Sequence, residues 1–181
     1  MAQIVQLPLP APAYPAEAAA LDRAECVLLV ALRWWVAARR DGEDPLPRLC
    51  QGLGTAGAHD AAFSVDALMN VIGRTARRPI AVHCPRCPRL SSDEVSLLHA
   101  ASLAQAGDAP CAERALRTAL LSAQGAEFAL GPLEGLAILF AEAGLRLRRR
   151  RTPSEAGEGS VEGRIAWVEA WQPRQPHETV H

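Results

Sequence analysis

The sequence contains no lysine, so its 19 basic side chains are all arginines, and 20 acidic residues bring the net charge to -1. A protein that coats nucleic acid with its whole surface needs a large positive excess, which excludes that class. Long apolar runs are also absent. The stretches 26–32 and 135–141 end at Arg33 and Glu142, well short of the roughly 18 residues that cross a bilayer. No transmembrane helix is therefore predicted.

Residues that favour strands are scarce. The 181 residues include only 4 Trp, 3 Phe and 1 Tyr, β-branched residues are sparse, and 35 residues are alanine. Alanine is the best helix former, whereas aromatic and β-branched residues favour strands. A chain of this length is expected to build one core. The composition therefore predicts an all-α fold, a compact bundle of five or six short helices.

Proline and glycine divide the chain into four parts. Residues 1–15 form a Pro-rich arm that we expect to be disordered, and residues 16–151 form a single helical domain. Residues 152–164 are rich in Gly, Ser, Glu and Pro and read as a linker, followed by a flexible C-terminal tail, 165–181, with a short docking segment. The arm has no basic residue, so no signal peptide is expected. We therefore predict a cytoplasmic protein with reduced thiols.

Apolar spacing and helix signals place the individual helices. They are predicted over residues 16–40, 58–77, 91–106, 112–121 and 131–147, with a short helical turn after Pro45. In the second of these, Phe63 and Ala67 are assigned to the buried stripe together with Leu68. Ser91 and Glu94 fit a capping box, which starts the next helix.

The strongest candidate for chemistry is the cysteine pair Cys84-x-x-Cys87. Two thiolates at this spacing can hold one tetrahedral zinc ion, and the flanking prolines stiffen the turn between them. A complete site needs four ligands, so a metal-binding or metal-sensing module with zinc or iron requires partners for the pair. The candidate partners are His83, Cys50, His59, His99 and Cys111, none of which forms a second close pair.

Two other interpretations of the pair remain open. A thioredoxin-type redox motif places its first cysteine at a helix N-terminus within a βαβ unit, and no parallel-sheet pattern surrounds Cys84. The simpler interpretation is that both thiols pack as small hydrophobic groups on a loop stiffened by prolines.

A basic run forms the second candidate site. Five arginines occupy the six positions from 146 to 151: Arg146, Arg148, Arg149, Arg150 and Arg151. Such a run could bind the phosphates of nucleic acid, and an Arg-mediated regulator is one alternative function. The other interpretation is that these cations complement the dipole of the preceding helix at its C-terminus. No aromatic residue is interleaved, so stacking on single strands is unsupported.

Residues 96–124 suggest a helical hairpin. Ala100, Ala112 and Ala119 stand where two antiparallel helices would approach closely, Leu103 and Leu116 would fill the space between them, and Gly107-Asp108 makes the turn. This segment resembles a single tetratricopeptide-type hairpin, without the large aromatic residues of that family or a second copy. The resemblance implies peptide or partner binding in a groove. One unit cannot bury its own face, so it would pack inside a bundle.

The function favoured by the sequence is protein–protein contact. No Gly-rich phosphate loop or Gly-x-Ser-x-Gly elbow is present, so the sequence assigns no catalytic residues, and an enzyme is not the favoured interpretation. We expect a small helical interaction or regulatory protein that binds a protein partner or itself. The tryptophans Trp34, Trp35, Trp167 and Trp171 are the candidate contact residues, with core or tail packing as their alternative.

Overall fold

The computed structural model describes residues 11–152. Within that range the chain is all-helical, as predicted, with six α-helices, one short 3-10 turn and no named strand. The 3-10 turn covers Ala18–Ala20, and the α-helices are α1 (Arg23–Asp41), α2 (Leu46–Thr55), α3 (Ala61–Thr75), α4 (Ser92–Gln105), α5 (Ala109–Ala119) and α6 (Ala123–Glu142). Within the described range, no helix has the length and apolar content needed to cross a membrane. The predicted linker beyond 152 and the tail 165–181 lie outside the described residues.

The core is built around α6, which packs against α3, α4 and α5. Small residues let α3 and α6 approach closely in antiparallel directions. A Cβ atom at Gly125 would overlap Thr75, and one at Gly135 would lie 3.1 Å from Ser64 Oγ. The centre of α6 is filled by fully buried side chains such as Leu136 and Phe140.

The hairpin of α4 and α5 has the predicted turn. Gly107 adopts a left-handed backbone with φ of 78°, and the Asp108 carboxylate caps α5 by accepting from the Cys111 amide. Ala100 and Ala112 are fully buried at the contact between the two helices. The hairpin also contacts α6, so its apolar face is covered by the bundle.

Three details of the predicted helices are wrong. The first helix begins at Arg23 and not at residue 16, because Asp22 and Glu25 form a capping box there. Phe63 is 56% exposed and Ala67 is exposed, so neither belongs to the buried stripe of α3, which contains Leu68, as predicted, together with Val65 and Ile72. The spacing of apolar residues in the sequence did not distinguish the buried face of α3 from its exposed face.

The third wrong detail is the position of α6. It begins at Ala123, where Ser122 accepts from the Gly125 amide, and it contains Pro132 in its interior. Proline removes one hydrogen bond to the carbonyl four residues earlier, here that of Phe128, whose side chain is 58% exposed. Because this face meets solvent, water can satisfy that carbonyl. The helix ends at Glu142, and Gly144 turns the chain with φ of 71°.

Candidate functional site

The cysteine pair lies on the irregular segment between α3 and α4. The Cys87 amide donates to the Cys84 carbonyl at 3.0 Å, which closes a four-residue turn with Pro85 and Arg86 in its centre. Cys84 is exposed and Cys87 is half-buried, and both thiols are free. Proline in the second position of such a turn is favoured because its φ is already fixed at the required value. The turn therefore presents two thiols at the surface on a stiff backbone.

A buried arginine is hydrogen-bonded to the backbone of this turn. Arg33 comes from the middle of α1, is 2% exposed, and donates from Nη1 to the Cys87 carbonyl and from Nη2 to the Arg89 carbonyl, both at 2.6 Å. Its Nε and Nη2 also donate to the two carboxylate oxygens of Glu94 at 2.7 and 3.0 Å. Four hydrogen bonds thus connect one buried guanidinium to the turn and to α4.

Glu94 connects the same cluster to the start of the turn. Its carboxylate accepts from the His83 amide at 3.0 Å and from the Ser91 amide at 2.9 Å, and its own amide donates to Ser91 Oγ. This is the predicted capping box of α4. Arg33 and Glu94 form a bidentate pair, and further hydrogen bonds satisfy the remaining polar atoms of both side chains. Such an arrangement compensates for the burial of the two charges.

The first half of the segment is fixed by a second ion pair. Asp93 is buried and accepts two hydrogen bonds from Arg78, at 2.7 and 2.8 Å, and one from the Ala81 amide at 2.7 Å. The hydrogen bond that Arg78 donates to Asp93 raises the pKa of Arg78, and burial partly offsets this rise. Both acidic residues at the start of α4 therefore hold backbone or side-chain donors of the segment before it.

The other candidate metal ligands are not brought to the turn. Cys50 lies on α2, Cys111 on α5, and His99 is buried on α4, where its ring meets the Tyr14 ring edge-on at 6.4 Å between centroids. His83 is adjacent to Cys84, and its Nδ1 lies 3.0 Å from the Arg89 carbonyl. Across residues 11–152, no group of three or more His, Cys, Asp or Glu side chains could hold a metal ion.

The basic run is dispersed along an extended segment after α6. Because α6 ends at Glu142, the arginines do not complement its C-terminus, contrary to that interpretation. Arg150 was among the candidate anion-binding residues, but it is only 8% exposed and is therefore not available to bind phosphates at the surface. It donates from Nε and Nη2 to Glu25 at 2.6 and 2.9 Å, and this hydrogen bond raises the pKa of Arg150, partly offset by burial.

The other four arginines of the run have separate surroundings. Arg151 donates to the Ala11 carbonyl at 2.7 Å, while Arg146, Arg148 and Arg149 are exposed. The last two lie 3.8 Å from Asp22 and 3.9 Å from Asp108, respectively. The acidic neighbours offset much of the positive potential that phosphate binding requires.

The two described tryptophans have different surroundings. Trp35 is 3% exposed and its indole Nε1 donates to Asp66 at 2.7 Å, so it belongs to the core and not to a contact surface. Trp34 is half-buried on a neighbouring face of α1, and the Arg48 guanidinium lies 5.0 Å from the centre of its ring. Trp167 and Trp171 lie outside the described residues.

An open groove lies between α1 and α2 at Trp34. It has a volume of about 240 Å³, and its lining is almost wholly apolar. At one side of the groove Gly52 leaves room for the indole, because a Cβ atom there would overlap the Trp34 ring. The lining residues are Cys26, Val27, Val30, Ala31, Trp34, Gly52, Leu53, Thr55 and Ala56.

The charged residues that position the turn escaped sequence reasoning. In the sequence Arg33 marks the end of an apolar run, whereas in the structure it lies within the buried face of α1, where a charge requires an internal partner. The sequence indicates the role of Glu94 in the capping box but not its pairing with Arg33.

No family model, no curated protein and no solved structure matches this chain.

Proposed function

We propose that this protein is a helical interaction module that binds a short apolar segment of a partner protein in the groove between α1 and α2. The observation that carries the proposal is the apolar surplus of α1. One side of this helix packs inward through Leu28, Leu32 and Trp35, and a second apolar stripe of Val27, Val30 and Trp34 faces the groove. A helix that is apolar on more than one side is typical of burial on both.

The groove has the form that a short segment requires. Val27, Val30 and Trp34 are spaced as i, i+3 and i+7, the spacing at which one helix presents anchors or pockets to another. Arg48 lies above Trp34 at the rim and is exposed, so an acidic residue beside the apolar anchors of the partner would meet a cation there. The partner we propose is therefore an apolar peptide segment with an acidic flank.

Site-specific photo-crosslinking tests this function. A photoreactive amino acid replaces Val30 in one full-length protein and Ile138 in another, and both are irradiated in the cells that express the protein. Ile138 is the matched control because it is 59% exposed and lies on α6, outside the groove. We expect a defined adduct with another protein from position 30 and none with that protein from position 138. The same adduct from both positions, or none from position 30, would contradict the proposal.

A charge introduced into the groove separates specific binding from proximity. Val27→Asp should weaken capture by about 30-fold, the equivalent of about 2 kcal/mol for a central contact residue. Ile138→Asp should leave capture unchanged. Circular dichroism of both variants establishes that the fold is retained.

A further inference from the structure

The exposed large apolar side chains of residues 11–152 are gathered on two adjacent helices. Phe63 is 56% exposed on α3, and Phe128 and Ile138 are 58% and 59% exposed on α6. The opposite faces of α3 and α6 contribute to one common core, so these three side chains lie on one side of the helix pair. A single exposed apolar residue is ordinary, whereas a group of them on one surface marks an interaction site.

The two helices are antiparallel, and their register is fixed at two points. Position 125 of α6 lies against Thr75 of α3, and position 135 of α6 lies against Ser64. Ten residues of one helix therefore run beside eleven residues of the other, which keeps the helices in step along their contact. By this register, position 133 of α6 is level with positions 66 and 67 of α3.

The exposed face of α6 has the same pattern in both directions from position 133. Phe128 and Ile138 stand five residues before and after it, and Gly131 and Gly135 stand two residues before and after it. Glycine leaves no side chain between the two apolar residues, so the backbone of another helix can approach closely at the centre of this face.

The exposed face of α3 has the same symmetry, and its centre lies at the same level to within one residue. Phe63 and Val71 stand four residues before and after Ala67, and Asp60 and Arg74 stand seven residues before and after it. Ala67, Asp60 and Arg74 are exposed, and Val71 is half-buried. Apolar residues therefore mirror apolar residues, and an acidic residue at one end mirrors a basic residue at the other.

We infer that the exposed faces of α3 and α6, here called the α3–α6 surface, bind the same surface of a second copy of the chain. In an interface with two-fold symmetry, residue i contacts residue j of the other copy and residue j contacts residue i. A two-fold axis level with position 133 brings Phe128 beside Ile138 of the partner subunit, and Ile138 beside the partner's Phe128. It also brings Phe63 beside the partner's Val71. The three exposed apolar side chains are then all covered.

Charges towards the ends of the surface favour a second copy as the occupant. The same axis places the Asp60 carboxylate beside Arg74 of the partner subunit, and Arg74 beside the partner's Asp60, so two pairs of opposite charge form. Gln124 and Glu142 are exposed and stand nine residues before and after position 133. Each Glu142 therefore lies at the N-terminus of the other α6, where negative charge is favoured. Such charges fix the orientation of an interface, and its apolar centre supplies the affinity.

Sedimentation equilibrium of the full-length protein tests the interface. We expect a concentration-dependent equilibrium between monomer and dimer. Ile138→Asp should weaken the dimer by at least about 30-fold, because it puts a charge into the apolar centre and enters a symmetric interface twice. Val27→Asp, which changes the groove between α1 and α2, is the control and should dimerise like the wild type. Circular dichroism of both variants establishes that the helices are retained.

Charge reversal on α3 distinguishes the proposed two-fold pairing from unspecific association. Asp60→Arg places two cations opposite each other at both contacts, and Arg74→Asp places two anions there, so each variant alone should be mainly monomeric. Mixed in equal amounts, the two variants have opposite charges at both contacts and should form a heterodimer, which native mass spectrometry detects. Arg117→Asp, which reverses an exposed arginine on α5, should dimerise like the wild type.

Three outcomes would overturn the inference. They are a wild-type protein that stays monomeric at about 0.1 mM, a dimer of Ile138→Asp as strong as that of the wild type, and absence of the heterodimer from the mixture. A monomer in which hydroxyl-radical footprinting finds Phe63 and Phe128 protected would show that another segment of the same chain covers the surface. None of these outcomes bears on the crosslinking at Val30, so the α3–α6 surface and the groove are tested separately.

Discussion

Two irregular segments of the molecule, 76–91 and 143–152, each contact a buried pair of one arginine and one glutamate that has a member on α1. In the first, Arg33 pairs with Glu94, and in the second, Arg150 pairs with Glu25. Each glutamate is also the third residue of a helix and accepts from the amide of the capping residue before it. In both places, therefore, the glutamate of a capping box also accepts two hydrogen bonds from a buried arginine.

The two pairs differ in whether a partner belongs to the irregular segment, because Arg33 and Glu94 both lie on helices whereas Arg150 lies on the segment that it holds. Arg33 is part of a helix and binds backbone carbonyls of the first segment, so it holds the turn whatever side chains the turn carries. Arg150 is part of the second segment and holds it through its own side chain. The first arrangement fixes a path for the backbone and leaves Cys84 available. The second fixes one point, so its loss should release the segment locally.

The largest expected effect is that of Arg33→Met. This change leaves the Glu94 carboxylate, which is fully buried, without its cation, and it leaves two carbonyls of the turn without their donors. Breaking a buried pair from one side costs about 3–5 kcal/mol. We expect that loss in the free energy of unfolding measured with urea. Arg40→Met, an exposed arginine on the same helix 3.4 Å from Asp41, should cost less than about 1 kcal/mol.

A double variant identifies the origin of the loss. In Arg33→Met with Glu94→Gln the buried charge is gone, and the side-chain oxygen of the glutamine can still accept from one of the two amides, Ser91 or His83, that bind the carboxylate. This protein should be more stable than Arg33→Met alone. If Arg33→Met unfolds within about 1 kcal/mol of the wild type, the pair does not anchor the turn and the comparison fails.

The effect of Arg150→Met should be smaller and local. Arg150 lies on a non-helical segment, and local release of that segment would let water reach Glu25, so we expect a loss of about 2 kcal/mol. Amide hydrogen exchange should accelerate at Leu147 and Arg151, whose amides donate to Gln105 Oε1 and to the Pro12 carbonyl. Arg148→Met, which removes an exposed arginine, is the control and should leave exchange unchanged. Acceleration that extends through α4 would show that the two anchors are not independent.

The sequence predicted the fold better than it predicted these anchors, for a physical reason. Helix class, the Ser91 cap and the turn at Gly107 follow from local preferences, which act within a few residues. The pairing of Arg150 with Glu25 joins residues 125 positions apart, and no local preference encodes it. The exposed position of Phe63 is likewise decided by which face of α3 meets α6. Long-range packing therefore determines which side chains surround the cysteine turn and the basic run, and the sequence does not show these contacts.

The candidate contact residues illustrate the same limit. Trp34 and Trp35 are neighbours with the same chemistry, and the sequence assigned both to one surface. Successive residues on a helix point about 100° apart, so α1 places Trp35 against Asp66 in the core and Trp34 in the groove. Gly52 decides the outcome for Trp34 because it supplies the space for the ring.

The smallest expected effect concerns the thiols near the two anchors. Cys84 should be alkylated first because it is exposed, whereas burial raises the pKa of the Cys26 thiol, with smaller contributions from the charges of Glu25 and Asp22. A raised pKa keeps Cys26 protonated where ordinary thiols ionise, at about pH 8.5, and this protection disappears as the pH rises through its own pKa. Peptide mapping after timed alkylation should find Cys26 at least about tenfold slower. Arg33→Met should accelerate Cys87, whose carbonyl it releases, and leave Cys26 unchanged; equal acceleration of both would mean that the anchors act on the whole fold and not on separate segments.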